Sequence, residues 1–97
     1  MDLVKLGEDS HDLLEQLADR FPQQALETCR SFDNAGEWGQ LIELISATLV
    51  KRSVPVTSQE RDALADLLYR YSIPYKHHEY ISNRDETIAS LKIADGE

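Results

Sequence analysis

The sequence lacks most of the features that anchor or cross-link a chain. Cys29 is the single cysteine among 97 residues, so an intramolecular disulfide framework is excluded. No uninterrupted apolar run approaches the roughly 18–20 residues of a membrane span. The N-terminal stretch MDLVKLGEDSHD lacks the basic start and the apolar segment of a signal peptide. Together these absences favour a cytoplasmic protein.

Positive charge is scarce as well. The chain has 10 Lys and Arg residues against 18 Asp and Glu residues, which gives a net charge of −8. Residues 1–50 carry three basic and ten acidic residues, whereas residues 51–97 carry seven and eight. Direct binding to nucleic acid or to an anionic membrane requires clustered Lys and Arg, so we predict neither. The acidic half favours a basic partner, and the alternative is that the charge serves solubility alone.

Helical periodicity dominates the first part of the chain. We predict that a first helix starts at an N-cap of Asp9 or Ser10, and that Pro22 ends it and opens a second helix. Cys29 lies on the second apolar stripe, so we interpret it as a buried hydrophobe and not as a nucleophile. The two stripes consist of Leu13, Leu14, Leu17, Ala18 and Phe21, then Ala25, Leu26, Cys29 and Phe32.

The stretch NAGEWG, residues 34–39, is predicted to be a tight joint between the second and third helices. Gly36 suits a helix C-cap, and Glu37 suits the first turn of the next helix, where a carboxylate favours the dipole. Trp38 starts a new apolar period, and Gly39 predicts the close approach of another backbone. A phosphate-binding loop is the alternative, but the spacing fits neither GxxxxGKS/T nor GxGxxG.

A fourth helix has a specific start signal. Residues 53–56 read as an extended connector, and Thr57 with Glu60 then matches the S/T-x-x-E capping box. Its predicted core stripe is Leu64, Leu67, Leu68 and Tyr71.

The pattern weakens after Pro74. A short helix near residues 75–81 and a last helix starting at residues 83–86, which can reach Ile93, are predicted there. The fold class is therefore all-α. We predict a small single-domain bundle of four to five helices over residues 1–97, made of two helical hairpins plus a C-terminal helix.

Catalytic constellations are not recognisable. His77, His78 and Glu79 have metal-ligand side chains, but adjacent helical positions diverge by about 100° and no second ligand pair follows. His11 lies near the predicted start of the first helix, where the dipole disfavours its protonated form, so we interpret it as a surface residue. We predict no enzymatic activity, no cofactor and no bound metal.

Carboxylates line one face of the first helix. Glu8, Asp12, Glu15 and Asp19 are spaced i, i+4, i+7 and i+11, opposite the leucine stripe. Like charges at this spacing disfavour a helix, so the ridge favours docking to a basic surface. A solvated helix face is the alternative interpretation.

Four tyrosines cluster around Pro74: Tyr69, Tyr71, Tyr75 and Tyr80. We assign Tyr71 to the core. The others suit either a protein interface or a structural role in holding the C-terminal segment.

The run from Asn34 to Tyr71 resembles the MafI-type immunity proteins of bacterial polymorphic toxin systems. Three segments carry the resemblance, in this order: Ala35-Gly36-Glu37-Trp38-Gly39, then Leu41-Ile42-Glu43-Leu44-Ile45 with Leu49, then Val54-Pro55-Val56-Thr57 with Glu60 and a leucine-rich helix. The resemblance implies a cytosolic inhibitor that binds a toxin domain delivered by a neighbouring cell and blocks it. Contact-dependent growth-inhibition systems use immunity proteins of this size and acidity too.

Candidate partner-binding residues follow from the charge pattern and the resemblance together. Nuclease toxins are often basic, so an acidic domain can place carboxylates where substrate phosphates would lie. Glu43 is included because it is predicted to point away from the core. The predicted site consists of Asp12, Glu15, Asp19, Asp33, Glu37, Glu43, Tyr75 and Tyr80. A helical adaptor that holds a partner's helix in an apolar groove is the main alternative, and a small metal enzyme using His77 and His78 is a third.

Overall fold

Helices account for most of the chain in a computed structural model, which describes residues 1–95. Residues 96 and 97, the last two of the predicted domain, lie outside the described residues. The structure confirms the all-α fold class. Residues 1–95 form six α-helices, one 3₁₀ turn and two very short strands in this order: α1 Leu3–Leu17, the 3₁₀ turn Ala18–Arg20, α2 Gln23–Ala35, α3 Trp38–Lys51, β1 Pro55–Val56, α4 Ser58–Leu68, α5 Glu79–Ser82, α6 Arg84–Ala89 and β2 Lys92–Ile93.

The N-cap of helix α1 lies seven to eight residues before the predicted one. The N-cap is Asp2, whose Oδ1 accepts hydrogen bonds from the backbone N–H groups of Val4 and Lys5 at 3.1 and 3.2 Å. The predicted start at Asp9 or Ser10 was wrong because the apolar face already begins at Leu6, which is 2% exposed. Ser10 is fully buried on that face. Because serine is polar, it interrupts the apolar pattern in the sequence even though the buried face is continuous.

The joint between α2 and α3 confirms the predicted C-cap at Gly36. Gly36 adopts the left-handed conformation (φ 72°, ψ 23°), and its N–H donates to Asp33 O and Phe32 O. A glycine is favoured there because other residues pay a steric penalty at positive φ. Glu37 is the N-cap of α3 and not part of its first turn, and its side chain makes no capping hydrogen bond.

Helix α3 is central, because it contacts α1, α2, α4 and α5. Its buried face inserts into a single hydrophobic core that extends from α1 to the C-terminal segment. The fully buried large side chains are Leu6, Leu13, Leu14, Leu17, Leu41, Ile42, Ile45, Leu49, Leu64, Leu67, Leu68 and Ile81. No helix within residues 1–95 is long and apolar enough to cross a membrane.

The start of α4 confirms the capping box, with hydrogen bonds in both directions between Thr57 and Glu60. The sequence did not predict a second role for Glu60. Arg20 donates two hydrogen bonds to its carboxylate at 2.7 and 2.8 Å, and Glu60 is only 7% exposed. This ion pair ties the 3₁₀ turn after α1 to the start of α4.

The C-terminal segment ends in a strand and not in a helix. Helix α6 stops at Ala89, and Ile93 pairs in parallel with Val56 of the connector. The last helix was predicted too long because Leu91 and Ile93 continue an apolar pattern. Asp95 accepts hydrogen bonds from the backbone N–H and the hydroxyl of Ser58 at 2.7 and 2.5 Å, which holds the segment against α4.

Candidate protein-binding surface

A groove of about 640 Å³ lies between the N-terminal half of α1 and the α2–α3 joint. Its apolar lining residues are Leu3, Val4, Gly7 and Trp38, and we call them together the groove floor. Leu3 and Val4 are 62% and 72% exposed. Six large apolar side chains are exposed within residues 1–95. Three of them, Met1, Leu3 and Val4, lie at the start of the chain, so exposed apolar surface is concentrated at and beside the groove.

Trp38 shapes the groove floor because Gly7 lets it approach. A Cβ atom at Gly7 would lie 2.7 Å from Trp38 Cζ2 and 3.0 Å from Cε2, which is too close for any side chain without moving the indole. A glycine inside a helix costs about 1 kcal/mol relative to alanine. The close packing of α1 on the indole therefore depends on this one position.

The polar part of the groove lining is acidic. It consists of Glu8, Asp12 and Asp33 together with His11, and we call the exposed pair Glu8 and Asp12 the rim. Glu8 and Asp12 are exposed, and neither forms an ion pair with another residue of the 1–95 range. Their charges are therefore available to a partner.

His11 and Asp33 form a pair across the groove. His11 Nδ1 lies 2.6 Å from Asp33 Oδ2, and the Asp33 side chain is 11% exposed. The hydrogen bond to Asp33 is the main reason why the pKa of His11 is raised above 6.5. The expectation that the helix dipole disfavours protonation was wrong, because α1 starts at Leu3 and His11 lies in its middle.

A second cavity of about 470 Å³ continues the apolar surface on the other side of Leu3 and Trp38. Glu37 and Tyr75 line it. Tyr75 is half-buried, and a Cβ at Gly39 would lie 3.1 Å from its Oη. The close approach predicted at Gly39 therefore exists, but the neighbour is this tyrosine side chain and not a backbone.

The predicted acidic ridge is divided between different environments. Asp12 lies on the groove rim, whereas the carboxylate of Glu15 is held by Arg30, whose Nη1 lies 2.5 Å from Glu15 Oε2. Asp19 is exposed in the 3₁₀ turn beyond the end of α1. Of the predicted site, the structure brings Asp12 and Asp33 together at the groove, with Glu37 at the adjoining cavity.

Glu43 and Tyr80 lie elsewhere and contact each other. The Glu43 carboxylate accepts hydrogen bonds from the backbone N–H of Tyr80 at 2.9 and 3.1 Å and from that of Ile81 at 3.1 Å. The reason for including Glu43 was therefore wrong, because its carboxylate binds the first turn of α5 and holds it on α3. Tyr80 is half-buried and lines a separate cavity of about 230 Å³ with α6 residues.

Cys29 and His78, the other residues considered for chemistry, both pack against neighbouring side chains. Cys29 is fully buried, which raises the pKa of its thiol to about 12 and confirms it as a core residue. The ring of His78 packs beside that of Tyr75 with centroids 4.7 Å apart. Within residues 1–95 no three potential metal ligands come together.

Sequence reasoning missed the groove floor. The predicted first helix starts after Leu3 and Val4, and the prediction gives Gly7 no role. The signal that could have found them is Asp2, an N-cap residue type directly before Leu3, followed by Leu6, Leu13 and Leu17 on one helical face.

Comparison of the chain with protein-family models, with characterised proteins and with solved structures finds no match. The resemblance of residues 34–71 to MafI-type immunity proteins stays a prediction.

Proposed function

We propose that this chain is an immunity-type protein that binds a basic, nuclease-type bacterial toxin domain and neutralises it by stoichiometric blockade. The observation that carries the proposal is the groove, where exposed apolar side chains and unpaired carboxylates occur side by side. Interfaces that bind tightly combine a buried apolar centre with a polar rim. The toxin assignment comes from the resemblance of residues 34–71, which includes Trp38 of the groove floor.

Electrostatics supports a basic partner. The chain carries a net charge of −8, and the rim charges of Glu8 and Asp12 are not compensated by any ion pair inside the described residues. A negative surface of this kind steers a positively charged protein and raises its association rate. On a nuclease toxin, carboxylates can occupy positions that receive substrate phosphates. Occlusion of that site requires no chemistry from the inhibitor, so we propose a non-catalytic, cofactor-free role in the cytoplasm.

The test is a titration of basic, nuclease-type toxin domains of bacterial polymorphic toxin systems with the full chain. Nuclease activity should fall linearly and vanish near one equivalent of inhibitor. Asp12→Lys should weaken inhibition at least tenfold, whereas Asp62→Lys, which makes the same charge change at a residue with a 72% exposed side chain on α4, should leave it within about twofold. Failure of the wild-type chain to inhibit the toxin at any ratio would refute the proposal.

A helical adaptor role is the second candidate, and the exposure of Leu3 and Val4 favours it. Salt separates the two functions. An interface dominated by charge weakens as ionic strength rises, because the Debye length shrinks from about 10 Å at 0.1 M to about 3 Å at 1 M. A partner that stays bound at 1 M salt and has no toxin activity would support the adaptor.

A further inference from the structure

The groove has the shape and chemistry to receive one particular kind of partner segment. We propose that it binds a basic amphipathic helix of the partner, with an apolar side chain seated against Trp38 and a Lys or Arg reaching Glu8 and Asp12. The inference rests on the proposed function, since it names the part of the toxin that is held. It also predicts which contacts on this chain decide affinity.

A helix fits the groove better than an extended segment does. The walls are two helices and their joint, α1 and the α2–α3 corner, and these elements present side chains and not an unpaired strand edge. An extended ligand would bury backbone N–H and C=O groups without partners, whereas a helix satisfies its own. From Val4 to Asp12 the groove follows α1 for roughly 12 Å at 1.5 Å per residue, which matches about two turns of a docked helix.

The order of the lining residues along α1 predicts the order of apolar and basic residues in the ligand helix. The apolar floor lies at the N-terminal end of α1, at Leu3 and Val4, and the carboxylates of Glu8 and Asp12 follow one and two turns later. The Asp33 carboxylate is already engaged by His11 Nδ1 at 2.6 Å, so the groove carboxylates without an ion-pair partner among residues 1–95 are those of Glu8 and Asp12. A ligand helix should therefore carry apolar anchors near one end and basic residues one to two turns away.

Charge complementarity alone does not explain the apolar floor, and one substitution separates the two contributions. Val4→Asp adds a negative charge, so it should strengthen the binding of a basic ligand held by charge only. If the apolar floor receives an anchor, the same change should weaken binding at least tenfold. Val4 is 72% exposed in the first turn of α1, where an acid suits the helix dipole, so the variant should fold normally.

The experiment uses the fluorescence of Trp38, the only tryptophan in the chain. The probe is a synthetic 16-residue amphipathic helix with Leu anchors and Arg flanks and no tryptophan, titrated into the full chain. We expect a saturable blue shift, weaker binding at high salt, and at least tenfold loss in Val4→Asp. The control Ile73→Asp adds the same charge at another exposed apolar residue, 45% exposed, and should bind as the wild type does.

Three outcomes would overturn the inference. Equal binding of a peptide with the same composition but a scrambled order would show that charge attraction suffices. Tighter binding by Val4→Asp would show that the floor takes no anchor. A blue shift that depends on protein concentration without peptide would identify a second copy of this chain as the occupant.

The toxin titration distinguishes this failure from failure of the proposed function. If the toxin is neutralised equally well by Val4→Asp and by the wild type, the function stands and the groove is not its binding site. If the peptide binds as expected but no toxin is neutralised, the groove inference stands and the immunity function falls.

Discussion

Replacing Glu43 by alanine should destabilise the fold and leave partner binding unchanged. Its carboxylate accepts hydrogen bonds from the backbone N–H groups of Tyr80 and Ile81 at 2.9 to 3.1 Å. These groups belong to the first turn of α5, where N–H groups have no partner inside the helix. The contact also positions Ile81, which is fully buried.

The size of the effect follows from these contacts. A hydrogen bond to a charged group contributes about 1.5–3 kcal/mol, and loss of a helix cap costs about 0.5–2 kcal/mol. Glu43 is half-buried, so water can replace part of the interaction, and we expect a loss of about 2 kcal/mol. Glu43→Gln keeps one acceptor oxygen and should lose about half as much. At about 4–8 °C per kcal/mol for a domain of this size, Tm should fall by roughly 8–16 °C in Glu43→Ala.

Thermal unfolding followed by circular dichroism measures the shift, and hydrogen exchange at Tyr80 and Ile81 localises it. Glu37→Ala is the matched control, because Glu37 is exposed and its side chain makes no capping hydrogen bond to α3. Its stability should stay within about 0.5 kcal/mol of the wild type. An unchanged Tm in Glu43→Ala, combined with loss of toxin inhibition, would refute the structural role and restore Glu43 as a partner contact.

Three further changes test other parts of the structure. Glu60→Gln should lower the free energy of unfolding by about 2 kcal/mol in urea denaturation, because it weakens the ion pair with Arg20; a change below about 0.5 kcal/mol would contradict this. Ser46→Ala should raise it by about 1 kcal/mol, because the buried Ser46 Oγ has no hydrogen-bond partner among residues 1–95; destabilisation would show that a partner was missed. An NMR titration should place the pKa of His11 above 6.5, and Asp33→Asn should return it towards that value; an unchanged pKa would contradict the pairing. Because the folded-state pKa is the higher one, the stabilisation from this pair is present below the unfolded pKa and is lost as pH rises through the folded pKa.

The helices that the sequence predicted well are those with local start and stop signals. Gly36 ends α2 and the capping box of Thr57 and Glu60 starts α4, and both signals act within a few residues of the chain. Local signals of this kind depend on backbone conformations that the residue types themselves favour. The order and type of the four long helices therefore follow from the sequence.

Apart from the start of α1, where the local N-cap signal of Asp2 was overlooked, the parts that were predicted wrongly depend on contacts between distant residues. Glu43 binds α5 across 37 and 38 positions of sequence, and Arg20 reaches Glu60 across 40. The spacing of residues along the chain does not predict such pairings. A carboxylate on a helix fits the same sequence pattern whether it faces water or another helix. Ile93 shows the same limit, since a parallel pairing with Val56 overrides its apolar helical spacing.

The groove places Trp38 beside three residues that each carry a cost, namely Gly7, Leu3 and Val4. Gly7 weakens α1 by about 1 kcal/mol relative to alanine, and Val4 leaves apolar surface in water in the first turn of a helix. The packing of the core does not require Leu3 or Val4, because the buried face of α1 starts at Leu6. The unfavourable choices at Leu3, Val4 and Gly7 lie together beside carboxylates without ion-pair partners among the described residues. They are accounted for together if the surface is covered by a basic partner. A binding function is therefore supported by the coincidence of these residues in space and not by any single one of them.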